Sequence, residues 1–227
     1  MLRLILAWFG SHDVTDHPLS FEPGATWFSE ALLPSPFLPR HRGDNRAEAH
    51  THADGIIGHI SIGAAAKVDT ALLPDASQLV VTEAKMFSPL SAGTHNAPSY
   101  DQAARNVACI AEMLSRARRA APQLHSLGFY VLAPEAQIAE GSLSAKLEKD
   151  SIERAVRSRA ARYGSELDAW LSDWFVPTLA HLHASPLSWE QLIVDIGHHD
   201  PDTSQSLAAF YERCLAHNAL RVSDVPG

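Results

Sequence analysis

The sequence predicts an α/β domain with a C-terminal helical extension. Four short apolar segments have the length and composition of buried strands: residues 56–62, 67–73, 78–85 and 128–133. Between the last two, residues 99–120 repeat apolar side chains at intervals of three and four, which is the spacing of a helix with one buried face. Most of the chain after residue 135 shows the same helical spacing. Strands that alternate with helices favour a sheet covered by helices.

The length of 227 residues favours one compact domain. We expect a core with an N-terminal wrap at residues 1–134 and the helical extension at residues 135–227. The wrap contains five prolines, and one short helix is expected near residues 26–33. An apolar run within the first nine residues predicts a buried strand or short helix. That run is too short to span a membrane and lacks a signal-peptide cleavage pattern, so a cytoplasmic protein is expected.

The net charge of −8, from 18 basic and 26 acidic residues, argues at first against binding to nucleic acid. The charge is unevenly distributed, however. Residues 40–162 carry 15 basic and 13 acidic side chains, whereas residues 1–39 have a net charge of −3 and residues 163–227 one of −7. The central segment therefore remains compatible with a nucleic-acid substrate, and the acidic ends suit a basic partner.

Cys109 and Cys214 both lie in apolar helical patterns. They form neither a CxxC pair nor a zinc-binding spacing. They are predicted to be buried free thiols of a protein in a reducing compartment.

The segment from Asp69 to Lys85 contains the side chains that carry the predicted chemistry. Glu83 and Lys85 are two residues apart on a strand, so they project from the same face. A five-residue loop at residues 74–78 would place Asp69 directly opposite Glu83. Two carboxylates in that arrangement repel each other unless a cation lies between them, and hard oxygen ligands with room for water suit Mg²⁺.

Neighbouring groups complete the predicted site. The Ala84 carbonyl lies between the two side chains and is a further candidate metal ligand. Lys85 is placed to orient or deprotonate water and to stabilise charge that develops on a phosphate. Gln102 lies in the first turn of the next helix, and Arg105, one turn further, is expected to face the same cleft.

With these residues in this order, residues 45–134 resemble the PD-(D/E)xK nuclease superfamily, and within it the RecB-like branch. Val68-Asp69 stands at the Pro-Asp position, Glu83-Ala84-Lys85 at the (D/E)xK position, and Tyr100-Asp101-Gln102 is similar to the Gln-bearing helix. The resemblance implies a restriction-endonuclease-like three-layer core of helix, three strands, helix and strand. It also implies hydrolysis of phosphodiester bonds in DNA or RNA with Mg²⁺ or Mn²⁺, leaving 5′-phosphate and 3′-hydroxyl ends.

The resemblance also assigns roles within the predicted cleft. The expected catalytic residues are Asp69, Glu83, Lys85 and Gln102. The expected metal ligands are Asp69, Glu83 and the Ala84 carbonyl. The residues expected to contact substrate are Tyr100, Arg105 and Asn106, where Asn106 replaces the Tyr that the family carries four residues after its Gln. DNA is favoured over RNA as the partner, no membrane is expected, and a homodimer or protein partner would bind through the helical extension.

Further residues have a place in this resemblance. The family often carries a metal-binding acid on its leading helix, and both Glu30 and Glu48 are candidates for that position. His52 matches the His that RecB-like nucleases often carry before the first core strand. Asp54 is an additional candidate for the same site.

Two other functions are compatible with the sequence. One is a nuclease-fold protein that binds or scaffolds without catalysis, which the acidic ends and the missing Tyr favour. The other is a zinc hydrolase, because His50-Thr51-His52-Ala53-Asp54 resembles the HxHxD motif of the metallo-β-lactamase fold. Gly55 stands where that family has its next His, and the preceding residues 40–48 are polar rather than an apolar strand.

Overall fold

The chain folds into an α/β domain around a mixed five-stranded sheet, which confirms the predicted α/β class. The computed structural model describes residues 1–39, 41–44, 46–48, 50–63, 70–93 and 97–223, with the backbone alone at 219–223. The predicted Val68-Asp69 motif lies outside the described residues.

In the described chain five strands follow the first helix, a sixth strand follows the second helix, and most of the later elements are helical. The strands are β1 (Thr26–Leu33), β2 (Thr51–Gly58), β3 (Ile60–Ile62), β4 (Thr70–Leu72), β5 (Gln78–Ala84), β6 (Ser126–Ala133) and β7 (His183–Ser188). The helices are α1 (Leu2–Ser11), α2 (Gln102–Ala117), α3 (Glu135–Ala139), α4 (Ser142–Leu147), α5 (Lys149–Ala160), α6 (Asp168–Trp170), α7 (Val176–His181), α8 (Trp189–Gly197) and α9 (Pro201–Ser223). Short 3₁₀ helices lie at Ala121–Gln123 and Ala161–Leu167, and a π-helical turn, Leu171–Phe175, joins α6 to α7.

The main sheet has the strand order β1-β2-β5-β6-β7. β1, β2 and β5 are antiparallel neighbours, and β6 and β7 continue the sheet parallel to β5. The parallel step from β5 to β6 crosses over through α2, as parallel neighbours require. β3 and β4 form a separate two-stranded sheet.

Each face of the main sheet is covered by helices. Ile56 and Val81 belong to the core that contains α2, whereas the adjacent residues Ile57 and Val80 belong to the core that contains α1, α8 and α9. Successive strand residues point to opposite faces, so this alternation defines three layers. Gly55 permits α1 to lie close against the sheet, because a Cβ there would lie 2.8 Å from Leu6 Cδ1.

Several predicted elements are wrong. Residues 26–33 form the strand β1 rather than a helix, because Trp27 and Phe28 pack into the cores on opposite faces of the sheet. Residues 56–62 and the described residues 70–73 do not supply two long strands of the core. Instead β2 ends at Gly58, and β4 pairs with β3.

The predicted helical extension also contributes a strand. β7 pairs in parallel with β6 at the edge of the sheet, where Pro186 is tolerated because an edge strand has one side without a hydrogen-bonded neighbour. Both cysteines are free thiols, as predicted, but only Cys109 is buried, whereas Cys214 is half-buried. None of the helices in the described chain combines the length and the apolar character needed to cross a membrane.

Candidate functional site

The pairing of β2 with β5 stops beside two carboxyl groups. Gly55 and Thr82 are the final pair at this end, which places Asp54 directly opposite Glu83. The amide of Ala84 donates to Oδ2 of Asp54 at 2.7 Å. The Asp54 carboxyl is close enough to Glu83 to raise the pKa of Glu83. Two acids therefore face each other where the strands stop pairing.

Glu83 is the more deeply buried of the two acids, with 1% of its surface exposed. Its Oε1 accepts a hydrogen bond from Asn106 Nδ2 at 3.0 Å, and its Oε2 accepts one from Gln102 Nε2 at 2.7 Å. Burial, reinforced by the Asp54 carboxylate, raises the pKa of Glu83 to about 7, against the opposing effects of Lys85 and the Asn106 hydrogen bond. A cation beside this pair would favour the ionised form of Glu83.

Gln102 connects Glu83 to Lys85. Nζ of Lys85 donates to Gln102 Oε1 at 2.9 Å and lies 3.7 Å from Glu83 Oε2. The position of Gln102 follows from a helix cap, because the Asp101 side chain accepts from the Ala104 amide at 3.1 Å and so begins α2 at Gln102. The side-chain amide of Gln102 thus holds the Glu83 carboxyl group and the Lys85 ammonium group in fixed positions.

Three further hydrogen bonds fix this arrangement, two on the α2 side and one on the opposite face of the sheet. On the α2 side, Gln102 Oε1 accepts from the Ser91 amide at 3.1 Å, and Arg105 Nη2 donates to Ser91 Oγ at 2.6 Å. On the opposite face of the sheet, Trp189 Nε1 donates to the Lys85 carbonyl at 2.9 Å. Supporting hydrogen bonds of this kind hold functional side chains in one geometry.

A cavity of about 480 Å³ opens onto Asp54 and Lys85. Its wall includes the start of α1, the α9 residues Cys214 and Asn218, and Glu30 of β1. Glu30 lies opposite Asp54, because the pairs on either side join Ser29 to Gly55 and Ala31 to Ala53. Its backbone is left-handed, with φ of 59°. The cavity wall therefore includes two acids, Glu30 and Asp54, together with Lys85, whereas Glu83 and Gln102 lie outside it.

Of the two acids that the sequence leaves open, the structure brings Glu30 to the cavity. Glu48 is not part of the cavity wall. Its Oε1 accepts from Ser35 Oγ at 2.5 Å. Burial raises the pKa of Glu48, while the Ser35 hydrogen bond and the charge of Arg159 oppose that effect.

The predicted pairing of Asp69 with Glu83 is wrong in its strand partners. The proposed hairpin needs the strand before residues 74–78 to pair with β5, but β4 pairs with β3 instead. Asp69 itself lies outside the described residues. The acid that faces Glu83 is Asp54, which the sequence includes only as an additional candidate. The sequence signal for Asp54 is its position directly before the apolar end of β2. That signal is easily missed, because Asp54 is also the last residue of the HxHxD pattern.

The predicted substrate-binding residues occupy different environments. Tyr100 is 2% exposed and packs edge-on against Phe37, away from the Asp54 cavity. Asn106 is fully buried and holds Glu83. These two predictions are therefore corrected, because a side chain inside the core does not reach a substrate at the cavity. Arg105 is half-buried beside Ser91, and His52 is exposed on β2.

Asp54, Glu83 and the Ala84 carbonyl are the oxygen donors available for a metal ion. The Ala84 amide and carbonyl both point to the β2 side of β5, beyond the final pair. Two facing acids, one of them with a raised pKa, fit a hard divalent cation that keeps some of its water. Within the described residues, no three His, Cys, Asp or Glu side chains form a metal-binding group, and His50, His52 and Asp54 are all described.

No protein-family model, no curated protein and no solved structure matches this chain.

Proposed function

We propose that this protein hydrolyses phosphodiester bonds of nucleic acid with Mg²⁺ or Mn²⁺, as a member of the PD-(D/E)xK nuclease superfamily. One observation carries the proposal. Asp54 faces Glu83 on the neighbouring strand, and Lys85 follows two residues later with Gln102 bridging it to Glu83. An acid pair beside a fixed ammonium group suits the binding of a divalent cation and a phosphate.

The order of elements supports the same proposal. α1, the antiparallel strands β1, β2 and β5, then α2 and the parallel strand β6 are a helix, three strands, a helix and a strand. On this alignment Ala53-Asp54 stands at the Pro-Asp position in place of Val68-Asp69. The resemblance then extends from residue 2 to residue 133 and includes Glu30 on its first strand.

In this mechanism the carboxylates of Asp54 and Glu83, with the Ala84 carbonyl, would hold the metal ion. A bound divalent cation supplies Lewis-acid polarisation of a phosphoryl oxygen. Hydrolysis forms a bond from the water oxygen to phosphorus and breaks the bond from phosphorus to the 3′ oxygen, which receives a proton. Lys85 orients the attacking water and stabilises the negative charge on the phosphate. Gln102 keeps the ammonium group near Glu83.

The test is cleavage of single- and double-stranded DNA and RNA by the full chain with Mg²⁺, Mn²⁺ or EDTA. We expect metal-dependent cleavage that falls at least about 100-fold in Asp54→Asn and in Lys85→Ala. Asp75→Asn makes the same chemical change at an exposed turn between β4 and β5 and is expected to cleave normally.

One outcome would contradict the assignment of Asp54, and two others would contradict the proposed reaction. Activity kept in Asp54→Asn but lost in Asp69→Asn would return the metal-binding role to Asp69. Absence of metal-dependent cleavage of every substrate would favour the binding or scaffold protein. Tightly bound zinc in elemental analysis of the purified chain would favour the zinc hydrolase.

A further inference from the structure

Phe87 lies two residues beyond Lys85 and combines exposure with a left-handed backbone. Its φ is 67° and 43% of its side chain is exposed. For a bulky side chain this conformation is a true outlier. The other large apolar side chains exposed in the described chain are aliphatic: Leu4, Ile62, Leu73 and Val194.

The strained backbone is held in place by a buried glutamine. Gln137 of α3 is 5% exposed, and its Oε1 accepts from the Phe87 amide at 2.9 Å while its Nε2 donates to the Ser88 carbonyl at 2.8 Å. Further along the same loop, Lys146 Nζ donates to the Leu90 carbonyl at 3.2 Å. The hydrogen bonds of this loop therefore hold the backbone in the conformation that exposes the Phe87 ring.

The ring contributes little to the fold in this position, because much of its apolar surface stays in water. Backbone strain maintained by surrounding contacts occurs preferentially at ligand-binding positions. The Cα atoms of Phe87 and Lys85 are at most about 7 Å apart, since each residue extends the chain by at most about 3.6 Å. The backbone of Phe87 is thus a near neighbour of Lys85, where the phosphate is proposed to bind.

We propose that Phe87 is a stacking platform for an unpaired nucleobase, so that the substrate of the site is single-stranded nucleic acid. This inference rests on the proposed function, because the phosphate at Asp54 and Lys85 brings the base to the ring. In a duplex each base is covered by its neighbours, whereas a single strand presents free faces that stack on aromatic side chains.

The experiment measures binding with Ca²⁺ in place of Mg²⁺, so that a hard cation stays at the acid pair, and a gel run in parallel checks that the probe is intact. The probe is a single-stranded oligonucleotide with one 2-aminopurine, compared with a hairpin duplex of the same sequence. We expect the full chain to prefer the single strand and to quench the fluorophore. Phe87→Gly should bind roughly tenfold more weakly and lose the quenching, since stacking on one aromatic contributes about that factor. Phe87→Trp should keep both, and Leu73→Ala is the control for loss of an exposed apolar side chain.

A thermal melt separates binding from a role in folding. Glycine adopts positive φ without strain, so Phe87→Gly should melt no lower than the parent chain. A lower melting temperature with unchanged oligonucleotide affinity would show that the ring serves the fold and would overturn the inference. Preference of the parent chain for the duplex would overturn it as well.

Failure of the stacking platform and failure of the hydrolase are distinguishable. A chain that cleaves nothing but binds the single strand through Phe87 supports the platform and rejects the hydrolase. A chain that cleaves with the same KM in Phe87→Gly as in the parent rejects the platform and leaves the hydrolase in place.

Discussion

Asp54 lies directly opposite Glu83, one position beyond the Gly55–Thr82 pair that ends the pairing of β2 with β5. Asp54 therefore does two things in the structure. It accepts a hydrogen bond from the Ala84 amide at the open end of the strand pair, and it brings a second carboxyl group to the most deeply buried acid of the site. The two effects are separable by experiment, because the side-chain oxygen of an Asn can still accept from the Ala84 amide, whereas only a carboxylate adds negative charge.

Asp54→Asn is expected to lower the pKa of Glu83 below its present value of about 7. The substitution keeps an oxygen that can accept from the Ala84 amide, but it removes the negative charge that disfavours ionisation of Glu83. The measurement is an NMR pH titration of the glutamate carboxyl carbons, with Glu83→Gln to assign the resonance. An unchanged Glu83 titration in Asp54→Asn would show that burial alone sets this pKa.

The stability of the metal-free chain is expected to fall as pH rises from about 4.5 to about 7. Glu83 has its ordinary pKa of 4.5 in the unfolded chain and about 7 in the folded one, so the folded chain binds more protons in that window. Stability decreases with pH wherever the folded state binds more protons, and a shift of this size amounts to about 3 kcal/mol. Urea unfolding at pH 5 and pH 8 tests this expectation. Glu83→Gln should flatten the dependence, and an identical slope in that variant would remove Glu83 as its source.

Magnesium is expected to raise the melting temperature more at pH 8 than at pH 5. At pH 8 the chain without metal holds the carboxylates of Asp54 and Glu83 close together, and a divalent cation between them reduces their repulsion. A ligand at one hundred times its Kd stabilises by about 2.7 kcal/mol. Sodium chloride at equal ionic strength is the control for screening. Equal shifts at the two pH values, or a full response in Asp54→Asn, would argue against a cation between Asp54 and Glu83.

The parts of the site that are local in the chain could be predicted from the sequence. Glu83 and Lys85 share a face because they are two residues apart on a strand. Gln102 can be placed in the first turn of α2, because Asp101 marks the start of that helix. The apolar spacing within α2 and β6 is strong enough to define both elements to within a few residues. In each case the signal depends on near neighbours along the sequence.

The non-local parts could not be predicted in the same way. Which strand pairs with β5 is decided by packing between distant segments, and β4 turns back onto β3 instead. β1 has the composition of a short helix, and only burial of Trp27 and Phe28 on opposite faces makes it a strand. β7 contains few strongly apolar residues and a proline, so its place at the sheet edge has no clear local signal. The identity of the acid that faces Glu83 depends on which strand pairs with β5.

Asn106→Ala is expected to weaken the fold and to move the pH dependence of hydrolysis. Asn106 is fully buried, and its Nδ2 donates to Glu83 Oε1 at 3.0 Å, a bond that favours the ionised carboxylate. Loss of a buried hydrogen-bond partner typically costs about 1–3 kcal/mol. Burial and the Asp54 carboxylate, which raise the pKa of Glu83, remain in Asn106→Ala, so that pKa should rise further. The acid limb of the pH–rate profile in Mg²⁺ should then shift to higher pH.

Asn106 is thus a positioning residue, and the pH–rate profile of Asn106→Ala distinguishes that role from simple packing. Gln191→Ala, which removes an exposed amide from α8, is the matched control and should change neither the stability nor the profile by much. Asn106→Ala that loses stability yet keeps the parent acid limb would mean that the residue only fills the core. Asn106 Nδ2 also donates to the Gln102 carbonyl at 3.1 Å, and loss of that bond would lower the plateau rate without moving the acid limb. A shift of the acid limb therefore reports the effect that passes through Glu83.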